Sequence, residues 1–435
     1  MGTLTDSLKT PEIKKKILFS FLIVSVLCLL TIVPIPGLDH AAAAQKIAEW
    51  GSIGTVIDIL SFRALSNVSV VSLGIFPFLV ASIVMQIVVL AVPKLRALSQ
   101  AGEEGTKIIT KFTRYASIAG AVIFAVLYCV GMRSAVTAKL NFWLAIVLCG
   151  LSVAVGSALC GWCVELLNSK GLGDGLTIII VAAIIRNIPV EIYSLFKESR
   201  ILGMLPALAL VVMGSICVVG VFFFVILVNM GEKKIRIIFA KRTVGLKQYG
   251  MQNQVVPVKV TQAGITPIIY TLVITLLPSA IIAMVIPGSQ NVWAQAFMDS
   301  VASVGYVPFF IIGIVFFTYI FALMQFNAYD MSKQIKDNGG YIQGLRPGKA
   351  TSQYLISTFI NLNSADTFYL ILICVVPMLL NLIPGFNGIC LGGIGLALVG
   401  GGFIEMKAIL ENSLKAEEEK AKQAGKDKKR KKYNK

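Results

Sequence analysis

Ten apolar stretches, each close to the length that crosses a bilayer, alternate with polar connections along the chain. They fall at 17–35, 70–92, 115–134, 141–165, 176–194, 203–229, 262–286, 306–327, 362–383 and 389–409. A spanning helix needs about 20 apolar residues, because each residue advances about 1.5 Å through a core about 30 Å thick. The pattern predicts an all-α polytopic membrane protein with ten transmembrane helices. Three segments depart from a plain bundle. The stretch 57–68 is half apolar but far too short to span, which leaves a re-entrant and a surface-lying reading open. The connections 230–261 and 328–361 are long where the others are tight, and long ordered loops tend to carry function.

Composition agrees with a lipid solvent. The chain is 56% hydrophobic and 14% charged, against about 25% charged in soluble domains. The net charge of +17 comes from 39 Lys and Arg against 22 Asp and Glu. Most of these positives lie before the first span, in 93–114, 230–261 and 328–361, and from Lys407 onward. An even number of spans puts both termini on one side, and the positive-inside rule makes that side the cytoplasm. Lys14-Lys15-Lys16 followed by Ile17 to Val33 resembles a signal peptide. The apolar run exceeds the roughly 7–15 residues of a signal core, so it is read as a retained first span.

The chemistry-bearing residues exclude more than they suggest. Cys160 and Cys163 have redox-like spacing but sit in an apolar span without a βαβ context; the eight cysteines are expected to be buried thiols acting as small hydrophobes. His40 is the only histidine, so neither a catalytic metal site nor an intramembrane protease is expected, and no cofactor is implied. An ion-coupled carrier keeps ionisable groups at mid-membrane despite their cost. The span centres are expected to lack Asp, Glu, Lys and Arg, with Glu165 at a span end and Gln86 and Gln325 as neutral hydrogen-bonding groups. That argues against a coupled small-molecule transporter. A path lined by Ile and Leu would instead seal by dewetting and deform around a polymer. Gly74-Ile75-Phe76-Pro77 in the second span is matched by Gly264-Ile265-Thr266-Pro267 in the seventh. These are the second spans of two five-span halves and run in opposite directions, the pattern of an inverted repeat around a central pathway.

Several motifs in order along the chain carry a family resemblance: Pro34-Ile35-Pro36-Gly37, Ala64-Leu65-Ser66-Asn67 leading to Leu73-Gly74-Ile75-Phe76-Pro77, Ala81-Ser82-Ile83, Glu103-Glu104-Gly105, Thr113-Arg114-Tyr115, Gly171-Leu172-Gly173-Asp174-Gly175, Ala240-Lys241-Arg242 and Gly344-Leu345-Arg346-Pro347-Gly348. Over residues 10–410 the chain resembles the SecY family of translocon channel subunits.

The resemblance implies a clamshell of two inverted five-helix halves, 17–194 and 195–409, with a cytoplasmic N-terminus over 1–16 and a basic tail over 410–435. It implies that 57–68 folds back as a plug, formed by Ile57, Asp58, Ile59, Leu60, Phe62, Arg63 and Leu65. Arg63 is a departure from the family pattern, expected to face the outer cavity or pair with Asp58. The implied pore girdle is Ile75, Leu79, Ile83, Ile180, Ile269 and Leu398, and the first three recur at i, i+4, i+8 on one helix face. The implied lateral gate holds Gly74, Pro77, Gln86, Gly264, Pro267 and Tyr270. The two long loops are similar to the family's docking platform for the SecA ATPase and the ribosome, through Lys233, Lys234, Arg236, Lys241, Arg242, Lys247 and Arg346. Further implied partners are the small membrane subunits SecE and SecG, a signal-bearing polypeptide as cargo, and membrane lipid.

Overall fold

The computed structural model describes residues 11–48, 50–100, 102–136, 141–199, 219–220, 223–239, 242–244, 247–249, 253–261, 264, 266–285, 306–325, 328–337, 339–346, 348–380, 398–404 and 406–407. The chain divides into two compact units. One holds Met1–Tyr193, Leu276–Ala302 and Leu398–Lys435, the other Ser194–Thr275 and Ser303–Ala397.

The first unit is helical. Helix α1 is Pro11–Leu30, and two short helices follow, α2 His40–Ala48 and α3 Gly51–Leu60. Next come α4 Phe76–Ala91, α5 Pro93–Gln100, α6 Glu103–Gly131, α7 Phe142–Lys170 and α8 Gly175–Ser199. Helix α4 packs on α6, and α6 on α7. Pro93 ends α4 because a proline cannot continue the helix on its N-terminal side, and α5 leaves at 107° to α4. Asp174 caps α8: its carboxylate accepts the Leu176 N–H at 3.2 Å and the Thr177 hydroxyl at 2.7 Å, while Asn168 Oδ1 accepts the Gly175 N–H at 2.5 Å. The first four N–H groups of a helix lack partners within it, and these acceptors satisfy two of them, which gives the Gly-Leu-Gly-Asp-Gly motif a physical role.

The outward faces of these helices are apolar. Phe21 is 70% exposed, Trp143 75% and Val147 63%. Aliphatic and aromatic faces of this extent exclude water as the solvent and match lipid. Among the described residues, Glu104–Gly131, Phe142–Lys170 and Lys349–Val376 are each long and apolar enough to cross a membrane, and the bent pair Phe76–Ala91 with Pro93–Ser99 makes a fourth.

In the second unit, a helical stretch at 223–229 leads into strands β1 Glu232–Phe239, β2 Arg242–Val244, β3 Lys247–Tyr249 and β4 Asn253–Lys259. Then come helices α9 Thr266–Val285 (whose second half belongs to the first unit), α10 Tyr306–Gln325 and α11 Ala328–Asp337, strand β5 Gly340–Ile342, and α12 Lys349–Leu380. The long loops are therefore not loops. They join in one antiparallel sheet of order β4-β1-β5, with Glu232 opposite Lys259 and Ile237 opposite both Gln254 and Ile342. Ile235 and Ile237 of β1, Ile335 of α11, Ile342 of β5 and Leu355 of α12 form a buried core beneath it. The alternation Lys234-Ile235-Arg236-Ile237 has the period of two that a half-buried strand requires.

Several span boundaries shift: α1 runs from Pro11 to Leu30 where 17–35 was expected, and α6 starts at Glu103 where 115 was expected. The second span was expected at 70 but α4 starts at Phe76, because 61–75 is a run of turns. The ninth was expected at 362 but α12 starts at Lys349, since its first turns pack in the sheet core rather than in lipid. Of the sixth and tenth spans, only 219–220 and 223–229, and 398–404 and 406–407, are helical residues within the described set.

An ion pair joins α6 to α7. Arg114 Nε donates to Glu165 Oε2 at 2.6 Å and its Nη2 reaches the same oxygen, with the Glu165 side chain 7% exposed. Removing the guanidinium leaves a buried carboxylate without its donor, a loss of about 1–3 kcal/mol, at the lower end here because the arginine is half-exposed. Arg114→Ala is expected to lower the thermal unfolding midpoint in detergent, whereas Arg96→Ala, at an exposed position on α5, leaves it unchanged. Equal midpoints for the two variants would contradict this assignment.

Candidate pore, plug and docking sites

From Ser61 to Ile75 the chain forms turns rather than helix, held by several side-chain hydrogen bonds. Ile57, Asp58, Ile59, Leu60, Phe62 and Leu65 are all buried, so this segment lies inside the unit and not along its surface. Asp58 organises it. Its Oδ1 accepts the Ser66 N–H at 2.8 Å, its Oδ2 accepts the Ser66 hydroxyl, and Arg63 Nε stands 3.7 Å from Oδ2. Of the two expectations for Arg63, pairing with Asp58 is the one observed. The turn it closes is tight enough to hold Phe62 and Arg63 at φ of 58° and 59°, a conformation costly for residues with a Cβ and kept only where surrounding contacts over-determine it. The backbone carbonyl of Ala64 accepts from Ser69 and Ser72, and Ile35 N–H donates to Val68 O at 3.1 Å, tying the segment to the end of α1.

The segment expected to form the plug runs directly into Ile75 and α4, which carry three of the residues expected in the girdle. Gly74 has φ of 51°, and a Cβ there would lie 2.5 Å from Ser61 Cα, so only glycine lets the chain turn from the plug into α4. Ile75 precedes the first turn of α4, and its carbonyl accepts the Leu79 N–H at 2.9 Å. Ile75, Leu79 and Ile83 are buried along one face. Ile180 on α8 and Leu398 are buried in the same unit, and Ile269 on α9 is buried in the other. Gly264 repeats the geometry of Gly74: its φ is 65°, and Pro267, like Pro77, is the second residue of the helix that follows. The four-residue sequence repeat is thus also a repeat of local backbone structure. Tyr270 is buried and packs its ring against Phe317 and Phe321 of α10, at 6.1 and 5.2 Å. Gln86 is half-buried on α4.

One ionisable residue corrects the expectation of uncharged span centres. Arg186 stands near the middle of α8, and its Nη1 donates to Thr31 Oγ1 at 3.1 Å. Thr31 in turn donates to Cys28 O at 2.8 Å, and its carbonyl accepts Asn67 Nδ2 at 3.5 Å. The guanidinium thus braces α8 against the end of α1 and the plug segment, a structural use of a mid-span charge. Asp366 is wholly buried near the middle of α12, a position that only the longer helix reveals.

Of the basic residues expected to dock a partner, Lys233, Lys234 and Arg236 are exposed on β1. Arg242 and Lys247 lie opposite Tyr249 and Val244 in the β2–β3 pair at the far end of the hairpin. Lys241 falls outside the described residues. Arg346 is exposed in the turn between β5 and α12, and its carbonyl accepts the buried Thr351 hydroxyl at 3.0 Å. What sequence reasoning missed is that β5 places this turn on the same sheet as the hairpin. No group of three or more His, Cys, Asp or Glu side chains able to hold a metal occurs among the described residues.

The SecY family model matches residues 69–406, most of the chain. The protein translocase subunit SecY of Mycobacterium bovis is 30% identical over 87% of this chain and 89% of its own, and that of Streptomyces scabiei is 27% identical over 93% and 96%. Among solved structures, a SecY whose plug domain is described as stabilising the closed state of the translocation channel and maintaining a membrane seal covers 93% of both chains, with a TM-score of 0.64 at 20% identity. Sec61 in the canine ribosome-channel complex from the endoplasmic reticulum covers 93% of both chains, with a TM-score of 0.56 at 18% identity. A family match that takes in α4, the paired strands and the turn at Arg346 leads to one conclusion: this chain belongs to the SecY family, the protein-conducting channel subunits that pass polypeptides across a membrane as conduits rather than as enzymes.

Proposed function

We propose that this chain forms the pore of a bacterial plasma-membrane translocon, with ten spans in two inverted five-helix halves and both termini cytoplasmic. Unfolded secretory chains pass through a girdle of Ile75, Leu79, Ile83, Ile180, Ile269 and Leu398, and hydrophobic segments leave sideways between α4 and α9. Residues 57–68 plug the resting pore. SecA or the ribosome drives transport from the sheet and the Arg346 turn, and SecE and SecG are the accompanying membrane subunits.

One observation carries this reading. All six girdle aliphatics are buried, and the plug segment that leads into three of them is held shut by its own polar groups. An aliphatic constriction repels water and ions but offers nothing for a passing chain to bind. That combination suits a varied polymer and has no use in a carrier of one small solute. The ribosome enters because the Sec61 structure of like fold is a ribosome-channel complex, and because Lys234 and Arg236 share the exposed face of β1, as phosphate-backbone contact requires.

Replacing Ile180 and Ile269 with Asn is expected to raise resting ion conductance in planar bilayers and to admit cargo with weakened signal sequences. Conductance and selectivity equal to the parent would contradict the girdle assignment. Asp58→Ala strips the acceptor from Ser66 and the partner from Arg63. Ser66 is exposed and Arg63 partly so, so the loss is that of an ordinary hydrogen bond, about 1 kcal/mol, and the closed-to-open ratio falls on the order of 5-fold. The expected result is frequent opening without cargo. A resting conductance matching the parent, with an unchanged unfolding midpoint, would remove Asp58 from the seal.

A further inference from the structure

The basic hairpin stands on a narrow base. Its chain leaves the membrane-embedded helix at Asn229 and returns at Thr261, and these two residues are bonded to each other: Thr261 Oγ1 donates to Asn229 Oδ1 at 2.9 Å. Beside them the Val260 N–H donates to Gly231 O at 2.9 Å. Asn229 Nδ2 donates to Val225 O at 2.9 Å within its own helix and to the Tyr369 hydroxyl of α12, also at 2.9 Å. Both amide hydrogens and the amide oxygen of Asn229 are therefore engaged, and no other side chain offers this set of two donors and an acceptor at that reach except glutamine, one methylene longer. Thr261 and Tyr369 are buried. The Tyr369 ring also rests against Phe224, centroids 6.0 Å apart.

The same helix touches the hairpin system a second time. Leu355 of α12 lies in the core formed by Ile235 and Ile237 of β1. From Leu355 to Tyr369 is about 21 Å along an unbroken helix. A hairpin anchored at one point would hinge about it. Anchored both at its root and through its sheet core, it moves with α12 as one body.

We propose that Asn229, Thr261 and Tyr369 form a pin that locks the two roots of the basic hairpin to α12, so that load from a cytoplasmic partner on the hairpin reaches the membrane-embedded part of the second unit. These are positioning residues: they touch neither partner nor cargo, and they act through the exposed Lys234 and Arg236. The inference rests on the docking reading above.

The test uses full-length channel with its small subunits in proteoliposomes and ribosomes carrying a stalled secretory chain. Two quantities are read: ribosome affinity, and the fraction of bound chains that enter the lumen at saturating ribosome. Tyr369→Phe keeps the ring and loses the hydroxyl. It is expected to leave affinity within about 2-fold and lower translocation by about 3- to 10-fold. Thr261→Val is expected to do the same and Thr261→Ser to match the parent, which distinguishes loss of the bond from loss of fold. The double variant Tyr369→Phe/Thr261→Val is expected to be no worse than either single one, since both open the same pin. Parent-level translocation in both single variants overturns the pin, as does an additive double variant. The docking reading is separated by Lys234→Glu/Arg236→Glu, which must weaken ribosome affinity. If it does not, the docking reading fails and the pin with it. If it does while Tyr369→Phe transports normally, the pin alone fails.

Discussion

Inside a bilayer no water is present to satisfy a backbone N–H or C=O, so an irregular segment survives there only when its polar groups are bonded within the protein. Residues 61–75 are the test of that constraint in this chain. They form turns rather than helix, and their polar groups find partners locally: Asp58 with Ser66 and Arg63, Ser69 and Ser72 with the Ala64 carbonyl, Ile35 and Val70 with the opposing segment. The seal proposed for this segment depends on this arrangement. Buried apolar side chains such as Phe62 and Leu65 fill the interior only because the backbone carrying them is already satisfied. Most of the segment's bonds are internal, while Val68, Val70 and Asn67 tie it to the chain just after α1.

The same economy governs the second unit. The long helix α12 serves as rod, core element and anchor in turn. Its first turns pack under the sheet at Leu355, its middle holds the hairpin roots at Tyr369, and its last turns are apolar enough to lie in lipid. The charge on the hairpin therefore sits on a folded body rather than on a flexible loop. A docking partner that presses on a flexible loop loses the work to its bending, whereas a sheet with a buried isoleucine core passes that work on.

Much of this was legible in the sequence, because lipid imposes a pattern that few local forces override. The apolar runs located α1, α4, α6, α7, α8, α9 and α10, and the Gly-Ile-x-Pro pair marked two helix starts that share a left-handed glycine. The Asp58–Arg63 pair was one of two expectations for Arg63. What was not legible came from contacts between segments distant in sequence. The start of α12 was displaced because its first turns answer to the sheet core, whose apolar side chains come from three other elements. The sheet itself was hidden by reading 230–261 for charge and not for its period-two alternation. Arg186 was overlooked although it stands at the centre of a predicted span; its partner Thr31 lies 155 residues away, and no local pattern announces it. The roots at Asn229 and Thr261 and their partner Tyr369 are ordinary polar residues until the fold brings them together.

The most direct test of the account is where a translocating chain lies. A photoreactive side chain at Ile180, in membranes containing this protein, would be exposed to a stalled secretory polypeptide, with Trp143 on the lipid-exposed face of α7 as the control position. The account predicts an adduct at Ile180 that requires a functional signal sequence and no comparable adduct at Trp143. Adducts confined to Trp143, or an Ile180 adduct indifferent to the signal, would contradict a girdle of buried aliphatics as the path of the chain.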